Sequence, residues 1–204
     1  MKLIIQIPCL NEEHTLPATL AELPRSINGI DSIEVLVIDD GSDDRTAEIA
    51  QLLGVDHIVQ HTKNRGLGRA FRSGLDRALA EGADIIVNTD GDGQYRGQSV
   101  EQLVQPILRG EADIVIGDRQ TSSKPEFSRL KKLLQSLGSH VVRSLSGVQV
   151  PDAVSGFRAM SREGALRLNI LSAFSYTVEM IIQSGNKKLT VVSVPVLTNP
   201  KTRE

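Results

Sequence analysis

Short runs of Ile, Val and Leu recur along the chain: LIIQI (3–7), IEVLVI (33–38), DHIVQ (56–60), DIIVN (84–88), DIVIG (113–117) and LTVVSVPV (189–196). Apolar runs without polar alternation, bounded by turn residues, predict strands buried on both faces. Between them, HTLPATLAEL (14–23), TAEIAQLLG (46–54), GRAFRSGLDRALAEG (68–82) and SVEQLVQPIL (99–108) repeat apolar positions at the three- and four-residue spacing of amphipathic helices. Strand and helix alternate through residue 117, which predicts an α/β fold, a mostly parallel central sheet flanked by helices. Past Gly117 the alternation breaks into polar DRQTSSKPE, a helical stretch near 127–146, turn-rich VPDAVSGFRAM, a second helical stretch SYTVEMIIQSG and the last strand.

Composition narrows the class. With 204 residues, 40% apolar and 24% charged, the chain has the balance of one folded domain and not of a disordered tail. A net charge of −2 gives no general attraction to nucleic acid or anionic lipid, so any basic site must be a local cluster. Cys9 is the only cysteine, which excludes an internal disulfide and a cysteine-built zinc cage and fits a cytoplasmic compartment. Pro8, Asn11 and Glu12 cut the N-terminal apolar run short, so it reads as a first strand and not a leader, and no later segment approaches the ~20 apolar residues of a membrane span. A membrane, if met, is met peripherally from the cytoplasmic face.

In parallel sheets ligands bind beyond the carboxyl ends of strands, so the loops there are where chemistry is sought. After the second strand, IDDGSDDRT is partly explained by a Gly41 turn and a helix cap from Asp43 or Asp44, but adjacent Asp39 and Asp40 repel unless something uses them. The first turn, PCLNEE, has no glycine and excludes a dinucleotide fingerprint; the later NRGLGRAFRSG reads as a helix entry whose small residues permit close packing. TDGDGQY, after the fourth strand, sets Asp90, Asp92 and Gln94 on alternate positions between Gly91 and Gly93. A strand-closing turn accounts for these residues, and so does a site for Mg2+ or Mn2+, which favours two carboxylates with positions left open for water and phosphate oxygens. An EF-hand is rejected because Tyr95 stands where its loop needs glycine and a strand precedes it; an aspartate-nucleophile phosphatase usually carries such a loop on its first strand. GDR (117–119) and the Arg129, Lys131, Lys132 group are either a solvated face or the positive partner a phosphate requires, Arg119 foremost. Asp152 and Arg158 flank a Ser-Gly turn that alone is an ordinary turn. The histidines show no metal-ligand spacing.

Taken in order, IPCLNEE, VIDDGSDDRT, NRGLGRAFRSGLDRALAEGADIIVNTDGDGQY, GDR and DAVSGFRAM resemble the family-2 glycosyltransferases, above all the dolichyl- and polyprenyl-phosphate mannose and glucose synthases, over residues 3–198. The resemblance implies a GT-A fold, with a donor half over about 1–119 and an acceptor half over about 120–204. It implies an inverting transfer of a hexose from a nucleotide sugar of the GDP-mannose or UDP-glucose type to polyprenyl or dolichyl phosphate. Pro8, Leu10, Asn11, Glu12 and Asp39 then match the nucleotide pocket, with Leu10 where relatives commonly carry tyrosine. Asp90, Gly91, Asp92 and Gln94 match the diphosphate loop, with Asp90, Asp92 and Gln94 holding Mg2+ or Mn2+. Arg119 matches an arginine facing the phosphates or sugar, and Asp152 an aspartate near the acceptor, so that Asp92, Arg119 and Asp152 carry the catalysis. Arg129, Arg158 and Lys201 fall on the acceptor side. A lipid phosphate is already anionic near neutral pH and leaves Asp152 to position it, whereas a soluble sugar or protein hydroxyl would make Asp152 a base. Two rivals differ in kind: a nucleotide-sugar-binding protein without turnover, and a metal-dependent phosphatase, against which the ordered nucleotide loops argue. YRGQ follows Gln94 where relatives often have histidine and prolines. Many relatives continue into helices that gather the lipid; removed C-terminal helices, a membrane partner subunit, or a non-lipid acceptor are the alternatives here.

Overall fold

Strand β1 (Lys2–Cys9) is the apolar run that the sequence places first, and its alternate residues enter two different cores. Ile4 packs with Ile38, Phe71, Ile86 and Met160 on one side of the sheet. Leu3, Ile5 and Ile7 pack with Val37, Val87, Leu103 and Val104 on the other. A strand covered on both faces has no use for polar alternation, which is why its sequence reads as a continuous run.

The protein is described from a computed structural model over residues 1–120 and 146–199. The remaining strands are β2 (Ser32–Asp39), β3 (His57–Gln60), β4 (Ile85–Asn88), β5 (Ile114–Asp118), β6 (Arg158–Ser161) and β7 (Val191–Pro195). They form one seven-stranded sheet in the order β3-β2-β1-β4-β6-β5-β7. β1 pairs in parallel with β2 and β4, β2 with β3, and β5 with β7, while β6 runs antiparallel between β4 and β5. The helices are α1 (Leu16–Glu22), α2 (Thr46–Leu52), α3 (Leu67–Ala80), α4 (Ser99–Leu108), α5 (Arg162–Leu166) and α6 (Thr177–Asn186). Among the described residues no helix is long and apolar enough to cross a membrane.

Among the described residues the expected elements are present, with three differences. β6 stands where the sequence reads as a turn. The short α5 follows it, entered through Ser161, whose hydroxyl accepts from the Gly164 amide at 3.0 Å. β3 and β7 are only partly buried, because among the described residues each has a neighbouring strand on one side only. The helical stretch near 127–146, with Arg129, and the chain from residue 200 on, with Lys201, lie outside the described residues.

A buried polar row crosses the middle of the sheet. Gln6 Nε2 donates to Asn88 Oδ1 at 2.9 Å, and Asn88 Nδ2 donates to the Gly156 carbonyl at 3.0 Å and the Tyr176 hydroxyl oxygen at 2.8 Å. Tyr176 in turn stacks on Phe71 with ring centroids 3.7 Å apart. These bonds join β1, β4, the loop before β6 and the start of α6 directly beneath the carboxyl edge, and leave Gln6 Oε1 buried without a partner among the described residues.

Candidate active site

Because β1, β2, β4 and β5 run in one direction, the loops after Cys9, Asp39, Asn88 and Asp118 share one edge of the sheet. β6 runs the other way, and its first residue, Arg158, pairs with Asn88 at the end of β4. The loop preceding β6, with Asp152, therefore joins the same edge. A cavity of about 310 Å³ opens there, lined by Pro8, Cys9, Leu10 and Glu12, by Asp40, by Asn64, Gly66, Leu67 and Ala70, and by Asp90, Gly91 and Asp92.

The first two loops are knitted together. Asn11 adopts φ 56°, a left-handed conformation that asparagine tolerates better than most residues. Its amide donates to Ser42 Oγ at 2.9 Å and its Oδ1 accepts from the Asp43 amide at 2.9 Å. The Glu12 amide donates to Thr46 Oγ1 at 2.8 Å. Asp44, not Asp43, meets the α2 entry, accepting from the Thr46 amide at 2.9 Å and from the Glu13 amide at 3.1 Å. Asp39 and Asp40 coexist because they face different donors. Asp39 accepts from the Ser42 amide at 3.0 Å and Gln60 Nε2 at 3.1 Å, and Asp40 from the Arg65 and Gly66 amides at 2.9 and 2.8 Å with His61 Nδ1 at 2.6 Å. Asp40 lines the cavity, whereas Asp39 shapes the turn beside it.

Asp90 and Asp92 reach the cavity from the loop after β4. Burial, with the charge of Asp92 adding and Arg119 opposing, raises the Asp90 carboxyl to about 7. Gly156 lets the backbone of the neighbouring loop come close: a Cβ there would stand 3.0 Å from Asp90 Oδ1 and 3.2 Å from the Tyr176 hydroxyl. Asp92 Oδ1 accepts from the Gln94 amide at 3.0 Å, closing the turn. Gln94 enters this turn through its backbone and is not among the residues lining the cavity. Among the described residues no three His, Cys, Asp or Glu side chains cluster as a self-sufficient metal cage. Two carboxylates on one turn, one raised by burial and by the charge of the other, nevertheless suit a hard divalent cation that draws its remaining oxygens from water and ligand.

Arg119, beyond β5, forms a two-pronged pair with Asp152: Nε to Oδ2 at 2.8 Å and Nη2 to Oδ1 at 3.0 Å. Burial works against the Arg119 charge, but Asp152, with Tyr95 and Asp90 nearby, outweighs it and holds the guanidinium above its ordinary pKa. Asp152 itself is 1% exposed. Arg158 departs from the expectation of an acceptor-side group. It is fully buried and donates to the carbonyls of Ser155, Thr177 and Ala153 at 2.8, 2.7 and 2.8 Å, fastening the loop before β6 to α6. Sequence reasoning flagged Asp40 only as half of an acidic pair and did not place Cys9, Asn64, Gly66, Leu67 or Ala70 at the cavity; NRGLG, in the loop that follows β3 on the same edge, was the available signal.

An open α/β sheet with acidic loops gathered on its carboxyl edge fits the GT-A fold that the resemblance implies, and the comparisons with known proteins support it. A model of the family described as glycosyl transferase family 2 matches residues 4–167, and the chain belongs to that family. It is 28% identical over 207 residues to the undecaprenyl-phosphate mannosyltransferase of Micrococcus luteus, covering 96% of this chain and 83% of the relative. It is 30% identical over 217 residues to the UDP-N-acetylglucosamine–dolichyl-phosphate N-acetylglucosaminyltransferase of Methanococcus voltae, covering 94% and 83%. The fold superposes with a TM-score of 0.76 on glucosyl-3-phosphoglycerate synthase from Mycobacterium tuberculosis, crystallised with Mn2+, uridine diphosphate and phosphoglyceric acid; it covers 100% of this chain and 72% of that one at 21% identity.

Proposed function

We propose that this glycosyltransferase moves a hexose from a nucleoside diphosphate sugar to a polyprenyl-type lipid phosphate at the cytoplasmic face of a membrane, with inversion at the anomeric carbon. The acceptor oxygen attacks that carbon, its bond to the diphosphate breaks, and the nucleoside diphosphate leaves with the electron pair. Pro8, Leu10, Glu12 and Asp40 line the cavity and would hold the nucleotide, with Asn11 and Asp39 supporting the loops they stand on. Asp90 and Asp92, with Gln94 on the same turn, would hold Mg2+ or Mn2+, which when bound neutralises the departing diphosphate. Arg119, held by Asp152 and outside the residues that line the cavity but near enough to lower the Asp90 carboxyl, would add positive charge toward the same leaving group. The named reactions of the two relatives support a lipid phosphate acceptor.

The observation that carries the acceptor class is the Arg119–Asp152 pair. Asp152 binds a guanidinium with both oxygens, so it orients Arg119 in place of collecting a proton, and an acceptor that is already anionic needs no base. The test has two stages. Thermal unfolding with GDP or UDP should show a raised midpoint only when Mn2+ is also present. With the stabilising nucleotide's labelled sugar and polyprenyl phosphate, label should then enter the organic-extractable phase. Label confined to water-soluble product would assign a hydroxyl acceptor, and no nucleotide-dependent shift would remove the donor site altogether.

A further inference from the structure

The loop between α5 and α6 carries two large apolar side chains in solvent, Phe174 at 90% exposure and Leu171 at 71%. The loop is pinned in place. The Gly68 amide donates to the Ala173 carbonyl at 3.0 Å, and the Leu171 and Ser172 amides donate to the Glu179 carboxylate at 2.9 Å each. Arg72 Nη1 reaches the Ile170 carbonyl at 3.4 Å. Such close seating needs glycine on α3: a Cβ at Gly68 would stand 2.1 Å from the Ser172 oxygen. The same turn of α3 presents Leu67, 43% exposed, between exposed Arg65 and Arg69. Glu179 faces inward to the loop amides, and Asp76 stands 3.7 Å from Arg72.

Apolar tips on a pinned loop, with exposed Arg65 and Arg69 on the adjoining start of α3, match an anionic bilayer: the tips enter the acyl boundary while the arginines meet lipid phosphates. Projecting tips bury little area against a flat protein face, well short of what a stable protein interface requires. Leu67 belongs both to this patch and to the cavity lining, so the patch adjoins the mouth of the site. We propose that Leu171, Phe174 and Leu67, flanked by Arg65 and Arg69, form the surface that seats this protein on anionic lipid bilayers, with the cavity mouth beside the headgroups. The inference rests on the lipid-phosphate acceptor reading, to which it gives a docking face.

The test is co-sedimentation of the full chain with vesicles of equal parts phosphatidylglycerol and phosphatidylcholine, and with phosphatidylcholine alone, without donor. Wild type should bind the anionic vesicles, and binding should weaken as salt is raised. Leu171→Ser/Phe174→Ser should lower partitioning about tenfold or more. Arg65→Gln/Arg69→Gln should lower it severalfold on anionic vesicles and leave the weak binding to neutral ones unchanged. All four positions are exposed, so unchanged unfolding midpoints verify the fold. Equal binding of wild type and variants, or no preference for anionic vesicles, would overturn the proposal. So would a wild-type dimer in sedimentation velocity that Leu171→Ser/Phe174→Ser dissociates, since the face would then belong to a second copy. Vesicle binding is read without nucleotide or turnover, so its failure is separable from failure of the donor and label-transfer experiments.

Discussion

At Asp90 the burial that frames the cavity also sets a pH response. Its carboxyl is raised from 3.8 to about 7 by burial and the neighbouring Asp92. Between those values the native protein retains a proton that the unfolded chain has released, so this group favours the fold at low pH and that contribution is lost as pH rises through 7. Asp90→Asn removes the titration. In metal-free buffer the variant should gain on the order of 1 kcal/mol over wild type at pH 8 and markedly less at pH 5, a modest figure because the carboxylate faces an open cavity. Urea unfolding at the two pH values measures it, and equal gains at both would show Asp90 to be fully solvated. The same substitution should abolish Mn2+-dependent stabilisation by nucleotide. Asp90 and Asp92 were legible as a pair because spacing, flanking glycines and the preceding apolar strand are all local. Arg158 was not: beside a Ser-Gly turn it reads as part of an ordinary turn or as an acceptor-side group, and only the carbonyls converging from Ala153, Ser155 and Thr177 turn it into an interior anchor. Asp39 and Asp40 are chemically identical neighbours, and which of them borders the cavity is settled by the loop at residues 61–66, remote in sequence.

Among the elements, α3 shows a sequence reading that held for the reason given. Its small residues were expected to permit close packing, and Gly68 lies against the 172–173 backbone. Gly68→Ala offers a test in which two effects oppose. Helix propensity favours alanine by about 1 kcal/mol. The new Cβ, 2.1 Å from the Ser172 carbonyl oxygen, meets backbone that cannot rotate away, and such overpacking costs about 1–3 kcal/mol. The net expectation is destabilisation in denaturant unfolding; a more stable variant would mean that the 170–174 loop yields freely. β6 was not legible because RAMS offers no apolar run, and its opening arginine suggests exposure. Its identity as a strand comes from pairing with β4 and β5 on either side, information that lies in the partners.

Across the whole molecule, the site is assembled by topology. Parallel β1, β2, β4 and β5 bring their following loops to one edge, which the strand–helix alternation foretold, while antiparallel β6 delivers a preceding loop, which it could not. The chain after β7 adds a last contribution from far along the sequence. Asn199 Nδ2 donates to the Gly93 carbonyl at 3.0 Å, the Asn199 amide to the Gln94 carbonyl at 2.8 Å, and Arg96 Nε to Asn199 Oδ1 at 3.1 Å. Thr198 also bridges Tyr95, so residues 198–199 hold the second half of the turn that carries Asp92. Fixing that turn before ligand arrives lowers the ordering cost of binding. Asn199→Ala keeps the backbone bond to Gln94 and removes the side-chain bonds to Gly93 and Arg96, each worth about 1 kcal/mol at most in so accessible a place. Stability should therefore fall by no more than about 2 kcal/mol, while Mn2+-dependent nucleotide affinity, followed by calorimetry, should weaken by roughly three- to tenfold. A loss of stability with unchanged affinity would reduce residues 198–199 to packing, because a turn that binds equally well without its tether was never ordered by it.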